Sequence, residues 1–135
     1  MYGGRPYYLH YDTEGRRIKK LNYQNVGSEY FYDGDLLIRE TNPEYTLDFL
    51  YDEFNELYGF IKNNTEEYFY IRDYFKNILA ITNKFGEIVV KYKYDAFGKF
   101  TISGDLATTI GNLNPFRYKG YYYDEETNLY FVSGR

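Results

Sequence analysis

Tyr45-Thr46-Leu47-Asp48-Phe49-Leu50-Tyr51-Asp52-Glu53-Phe54-Asn55 carries the two signals that decide the fold. Tyr45, Leu47, Phe49 and Tyr51 alternate, which places them on one face of an extended strand, although Leu50 breaks strict alternation on the other face. The strand then runs into Asp52, with Asn55 three residues on. A leading Asp accepts backbone N–H bonds inside a turn, and Asn or Gly tolerates the left-handed backbone that closes it. The unit therefore reads as strand, Asp-initiated turn, strand.

Working outward, the Tyr-Asp dipeptide recurs at Tyr11-Asp12, Tyr32-Asp33, Tyr51-Asp52, Tyr94-Asp95 and Tyr123-Asp124, with a degenerate copy at Arg72-Asp73. Asp12, Asp33, Asp52, Asp73, Asp95 and Asp124 are spaced by 21, 19, 21, 22 and 29 residues, a repeat period with one insertion near its end. Gly15, Asn55, Asn77, Gly98 and Asn128 follow their aspartates by three or four positions. Asp33 departs, because Gly34 follows it directly, and a shorter turn is expected there. β-type runs are expected at Tyr7 to Tyr11, Arg17 to Tyr23, Glu29 to Tyr32, Leu36 to Thr41, Leu57 to Lys62, Glu67 to Ile71, Ile78 to Thr82 and Ile88 to Tyr94. Between repeats, Asn25-Val26-Gly27, Asn42-Pro43, Asn63-Asn64 and Asn83-Lys84-Phe85-Gly86 supply turn chemistry rather than flexible linkers. The run from Ser103 to Pro115 reads as a loop or a short helical turn. Beyond it, Phe116 to Asp124 and Leu129 to Arg135 read as strands around another Asp-led turn.

Composition narrows the function. Among 135 residues there are 20 Tyr and 11 Phe but no Trp, a bias toward strands, in a length suited to one domain. The absence of cysteine excludes disulfides, thiolate zinc sites and cysteine nucleophiles, and His10 is the only histidine. A net charge of −4 gives no global attraction to nucleic acid. No apolar run is long enough to span a membrane, and Met1 to Pro6 lacks the apolar core of a signal peptide, so a soluble chain without its own export signal is expected.

The Tyr-Asp ladder resembles the YD repeats of Rhs proteins. The run Asn114-Pro115-Phe116-Arg117-Tyr118-Lys119-Gly120-Tyr121-Tyr122-Tyr123-Asp124, continuing to Arg135, resembles the Rhs repeat-associated core signature. The resemblance implies an all-β protein in which antiparallel YD-repeat hairpins form a curved sheet, part of a larger spiral shell around a C-terminal toxin or other cargo. It divides the chain into a YD-repeat region, 1–103, and the start of the core signature, 104–135, in one continuous structural unit. Family members usually run on past the position of Arg135 into a self-cleavage segment and an effector domain. A shell segment without effector is therefore expected, with the rest of the shell and the effector as partners and the parent protein secreted or at the cell surface.

Other chemistries are weaker. Calcium loops concentrate several oxygen ligands within a dozen residues, whereas most repeats here offer one turn aspartate, so no metal is expected. The acid clusters Asp52-Glu53 and Asp124-Glu125-Glu126 sit in turns, where solvated charge is the ordinary explanation, and no catalytic residue or cofactor is assigned. Arg16-Arg17-Ile18-Lys19-Lys20 is split by alternation across both faces of a strand. Tyrosines could stack on sugars, which makes a cell-surface glycan-binding module the alternative; packing of rings between strands is preferred. The expected structural residues are Tyr11, Asp12, Gly15, Tyr32, Asp33, Tyr51, Asp52, Asn55, Asp73, Asn77, Tyr94, Asp95, Gly98, Pro115, Phe116, Arg117, Tyr118, Gly120, Tyr123 and Asp124. Open sheet edges lead to an expectation of self-association in isolation.

Overall fold

A computed structural model describes residues 7–125 and 127–131. The protein is all-β, and within each of its two units the sheet strands follow one another in chain order, each antiparallel to its neighbour. Two compact units are distinguished, dividing between Glu66 and Glu67.

The first unit holds β1 (Tyr8–Tyr11), β2 (Arg17–Leu21), β3 (Gly27–Asp33), β4 (Leu36–Thr41), β5 (Thr46–Tyr51) and β6 (Leu57–Lys62). Register places Tyr30 opposite Glu40, Glu40 opposite Leu47 and Phe49 opposite Phe60. Tyr30, Leu47, Phe49 and Phe60 are buried on this shared face, with Glu40 and Ser28 buried beside them. The opposite face is wetter, carrying Phe31, the Arg39–Asp48 ion pair at 2.6 Å and Ile61 in one cross-strand row. Alternation of apolar and polar residues thus selects which side of the pleat leaves water.

The second unit holds β7 (Glu66–Arg72), β8 (Ile78–Thr82), β9 (Ile88–Tyr94) and β10 (Phe100–Ser103), assigned by the residues that make up most of each. Ile78, Ile81, Val90 and Tyr92 form its buried centre. Against this sheet lies a π-helical turn, Ala107–Gly111, followed by a 3-10 turn, Tyr118–Gly120, and the short strands β11 (Tyr122–Asp124) and β12 (Leu129–Phe131), which pair with each other. Gly111 is required where the helical turn meets the sheet, because a Cβ there would stand 2.7 Å from Ile102 Cγ2.

Differences from the sequence reading are local. β10 was not anticipated, since Phe100-Thr101-Ile102-Ser103 is short and follows the Gly98 turn closely. The expected strand from Phe116 to Asp124 is interrupted by the 3-10 turn, where Lys119 and Gly120 take φ of +55° and +71°. Phe116, bridged to Tyr122, precedes that turn, and Tyr121 and β11 are extended after it. The expected strand end at 132–135 lies outside the described residues.

Candidate functional site

Six turns share one hydrogen-bond pattern. At Asp12, Asn22, Asp52, Asp73, Asn83 and Asp95, the N–H of the first residue donates to the carbonyl four positions on, and the N–H of the fourth residue returns to the first carbonyl. The leading Oδ1 accepts two further backbone N–H groups, two and four residues along, at 2.8–3.1 Å. The fourth residue is left-handed in every case, at Gly15, Asn25, Asn55, Lys76, Gly86 and Gly98. This is a type I turn closed by a left-handed residue, a common loop for joining antiparallel strands.

At the Asp73 turn the left-handed position falls on Lys76 and not on Asn77, which corrects the expected role of Asn77. Asn77 instead donates its amide to Asp73 Oδ2 at 2.9 Å, and its Oδ1 accepts the Lys119 N–H at 2.7 Å. Asp33 pairs with Leu36 across Gly34 and Asp35, the shorter loop, with Gly34 left-handed. Hydrogen bonds from Arg16 N–H and Glu14 N–H hold the Asp12 carboxyl below the usual carboxylate range, together with the Arg16 side chain 2.8 Å away, although partial desolvation opposes them. Asp73 is likewise lowered, first by the Asn77 amide.

Adjacent hairpins are joined by a second repeated device. Their backbone ladders hold at the Asn-turn end, between Lys19 and Glu29, Arg39 and Asp48, and Ala80 and Lys91, and the paired residues stop there. Toward the Asp turns, a tyrosine hydroxyl bridges the strands instead. Tyr32 donates to the Arg17 carbonyl at 2.8 Å, Tyr51 to Leu37 at 2.8 Å and Tyr94 to Ile78 at 2.5 Å. In each case the acceptor lies opposite the Tyr, or Arg72, of the preceding repeat. Burial raises these phenols, Tyr32 to about 12 and Tyr51 and Tyr94 further. Tyr11 and Tyr123 differ. Tyr123 donates to Asn128 Oδ1 at 2.6 Å, and Tyr11 is 52% exposed.

The core-signature residues converge in the second unit. Arg117, almost wholly buried, donates from Nε to the Asn114 carbonyl at 3.0 Å and from one terminal nitrogen to the Gly111 and Asn112 carbonyls at 3.3 and 2.9 Å. Its guanidinium also lies 4.6 Å from the Phe100 ring centroid and 4.9 Å from that of Tyr123. Carbonyls at the C-terminal end of a helical turn carry partial negative charge, so the buried cation stands where the backbone dipoles favour it. Asn114, fully buried, accepts from Tyr70 Oη at 2.5 Å and donates to the Phe116 carbonyl at 2.7 Å. Pro115 accepts the Tyr123 N–H, and Phe116 meets Tyr122 edge-on. Tyr118 lies over the Asp95 turn, where a Cβ on Gly98 would stand 3.0 Å from its ring, and Gly120 passes the Lys76 carbonyl. Asp124 is buried and accepts from Thr127 Oγ1.

Sequence reasoning placed the Asn83–Gly86 turn but missed Asn22 as the initiator of the turn it began at Asn25, and Asn114 as a buried hub. Asn22 had a usable signal, the same Asx-x-x-Asn/Gly spacing as the aspartate turns.

Comparison with known proteins agrees with this construction. The family model for the Teneurin YD-shell matches residues 7–135. The tRNA3(Ser)-specific nuclease WapA of Bacillus spizizenii is 37% identical over 129 residues, and the tRNA nuclease WapA of Bacillus subtilis 38% over 129 residues. Each alignment takes in 93% of this chain and 5% of the relative, so the chain spans about one twentieth of their length. The crystal structure of TcdB2-TccC3-Cdc42 superimposes with a TM-score of 0.70 at 16% identity, covering 96% of this chain and 7% of that one. The crystal structure of TcdB2-TccC3 gives 0.68 at 17% identity, with 100% and 8% covered.

Proposed function

Because this chain belongs to the Teneurin YD-shell family, a structural segment of such a shell, we propose that it forms non-catalytic wall in a larger secreted protein and encloses that protein's C-terminal effector. One observation carries the reading. The repeat's characteristic residues, Tyr32, Tyr51 and Tyr94 with Asp12, Asp52, Asp73 and Asp95, are each engaged in backbone hydrogen bonds of the repeat itself. A residue engaged in holding the backbone is a poor candidate for chemistry on a substrate.

The relatives named as nucleases match over 5% of their length, and on this reading their activity resides elsewhere in those proteins. The partners are then the rest of the shell and the effector, with no nucleic acid bound by this segment. No helix among the described residues is long and apolar enough to cross a membrane.

The test is protease protection of the effector in the full-length polypeptide containing this segment. With the native wall, the effector resists digestion; with Tyr32, Tyr51 and Tyr94 all changed to Phe, it becomes susceptible earlier. An effector cut equally fast in both, or in the native protein as fast as in isolation, overturns enclosure. The glycan-binding alternative predicts saturable binding on a glycan array, abolished by loss of surface tyrosines.

A further inference from the structure

We propose that the turn rim of the second unit, at the Asp73 and Asp95 turns, is a contact surface for an anionic lipid bilayer. The third residue of each turn is a phenylalanine left in water: Phe75 is 72% and Phe97 89% exposed, with Tyr74 beside Phe75 at 93%. Single exposed apolar residues are ordinary, but rings at the same position of neighbouring hairpins form a cluster, and such clusters mark interaction sites. The turn itself does not demand a ring there, since the matching turns at Asp12 and Asn22 carry Glu14 and Gln24 in that position.

Charge selects the occupant. Lys76 and Lys99 belong to the same two turns, Lys119 is joined to the first of them, and all three are exposed. The only acids within the two turns, Asp73 and Asp95, are directed inward, each Oδ1 accepting two backbone N–H groups. Phe54 holds the same position in the Asp52 turn of the first unit and is 77% exposed, but Glu53 and Glu56 stand on either side of it in the chain. One turn position thus carries rings among lysines in the second unit and a ring among glutamates in the first. Only the former suits both the acyl boundary and the phosphates of an anionic leaflet. The rim is also braced by the 3-10 turn. Lys119 N–H donates to Asn77 Oδ1 at 2.7 Å, Ile78 N–H donates to the Arg117 carbonyl at 3.1 Å, and the Tyr118 ring lies against Gly98. The rings are therefore presented without the entropy cost of first ordering a loop. They project from strand ends and not from either sheet face, so lipid contact goes beyond enclosure by the wall and does not depend on it.

The experiment sediments the 135-residue chain with phosphatidylcholine vesicles, and with vesicles in which about a third of the lipid is phosphatidylserine. Binding to the second and not to the first, weakened by added salt, is expected. Phe75→Ser combined with Phe97→Ser should lower the partition coefficient by roughly tenfold or more, and Lys99→Gln by about fivefold. Phe54→Ser, at the same turn position, should leave it unchanged. In the unaltered chain, a headgroup spin label in the phosphatidylserine vesicles should broaden the amide resonances of residues 73–76 and 96–99 and spare those of 52–55. Failure to sediment with phosphatidylserine vesicles, equal binding to both vesicle types, an equal loss in Phe54→Ser, or broadening centred elsewhere would each overturn the proposal. So would a dimer abolished by the two serine substitutions, which would make the rim a contact between copies of the chain. These outcomes are separable from failure of the wall reading, which is decided by protection of the effector.

Discussion

At the scale of single residues, Asp and Asn perform one task. Asn22 and Asn83 make the same four bonds as Asp12, Asp52, Asp73 and Asp95, so the turn uses the Oδ1 lone pairs and not the charge. Asp52→Asn should therefore change stability by no more than about 0.5 kcal/mol, whereas Asp52→Ala, which removes both acceptances, should cost roughly 1–2 kcal/mol; equilibrium denaturation of the two variants measures the difference. Gly98→Val meets two obstacles. Its φ is +83°, and its new Cβ would press on the Tyr118 ring. A loss of about 1–3 kcal/mol is expected, and unchanged thermal stability would remove the left-handed turn from the account.

Elements are held together by bonds of different kinds on either side of a hairpin. Within a hairpin the backbone ladder runs up to the Asp turn; between hairpins it stops, and the tyrosine hydroxyl takes over. Tyr51→Phe keeps the ring and leaves the Leu37 carbonyl without its donor, for an expected loss of about 0.5–1.5 kcal/mol, read by denaturation and by faster amide exchange near the Asp33 and Asp52 turns. Arg117→Met should have a larger effect, because the Asn112 and Asn114 carbonyls lose the guanidinium together and the Gly111 carbonyl keeps only the Tyr92 hydroxyl: residues 104–124 should become cleavable by protease while β1–β6 remain protected. Equal protection throughout would deny Arg117 this anchoring role. Much of this was legible beforehand. The Tyr-Asp ladder located the Asp turns, and the alternation around Phe49 located the buried face. The hydroxyl rungs were not legible, because a tyrosine's acceptor depends on register across strands, which sequence alone does not specify. Lys76 in a left-handed conformation was hidden for another reason: Asn77 is the better left-handed residue, but the hydrogen-bond spacing of the turn overrides local preference by one position.

For the whole molecule, ionisation bounds the conditions under which it stays folded. Asp12 and Asp73 have folded pKa values below the unfolded one, near 3.9, so their contribution is present above that value and is lost as pH falls through the folded values. The tyrosines act at the other end. Tyr32 and Tyr130 are raised to about 12 from an ordinary 10, so their contribution is whole below about pH 10 and disappears as pH rises through 12. A pH titration of melting temperature should therefore fall at both extremes, and Tyr32→Phe should flatten the alkaline limb; an alkaline limb identical in the variant would assign that fall to other groups. The repetition itself has a hereditary consequence. Since one turn pattern and one rung recur, duplicating some 20 codons inserts a hairpin whose seams on both sides already match its neighbours, whereas inserting a single codon inside a strand turns every following side chain of that strand to the wrong face. Chains built this way can change in length by whole hairpins without redesign of the hairpins already present.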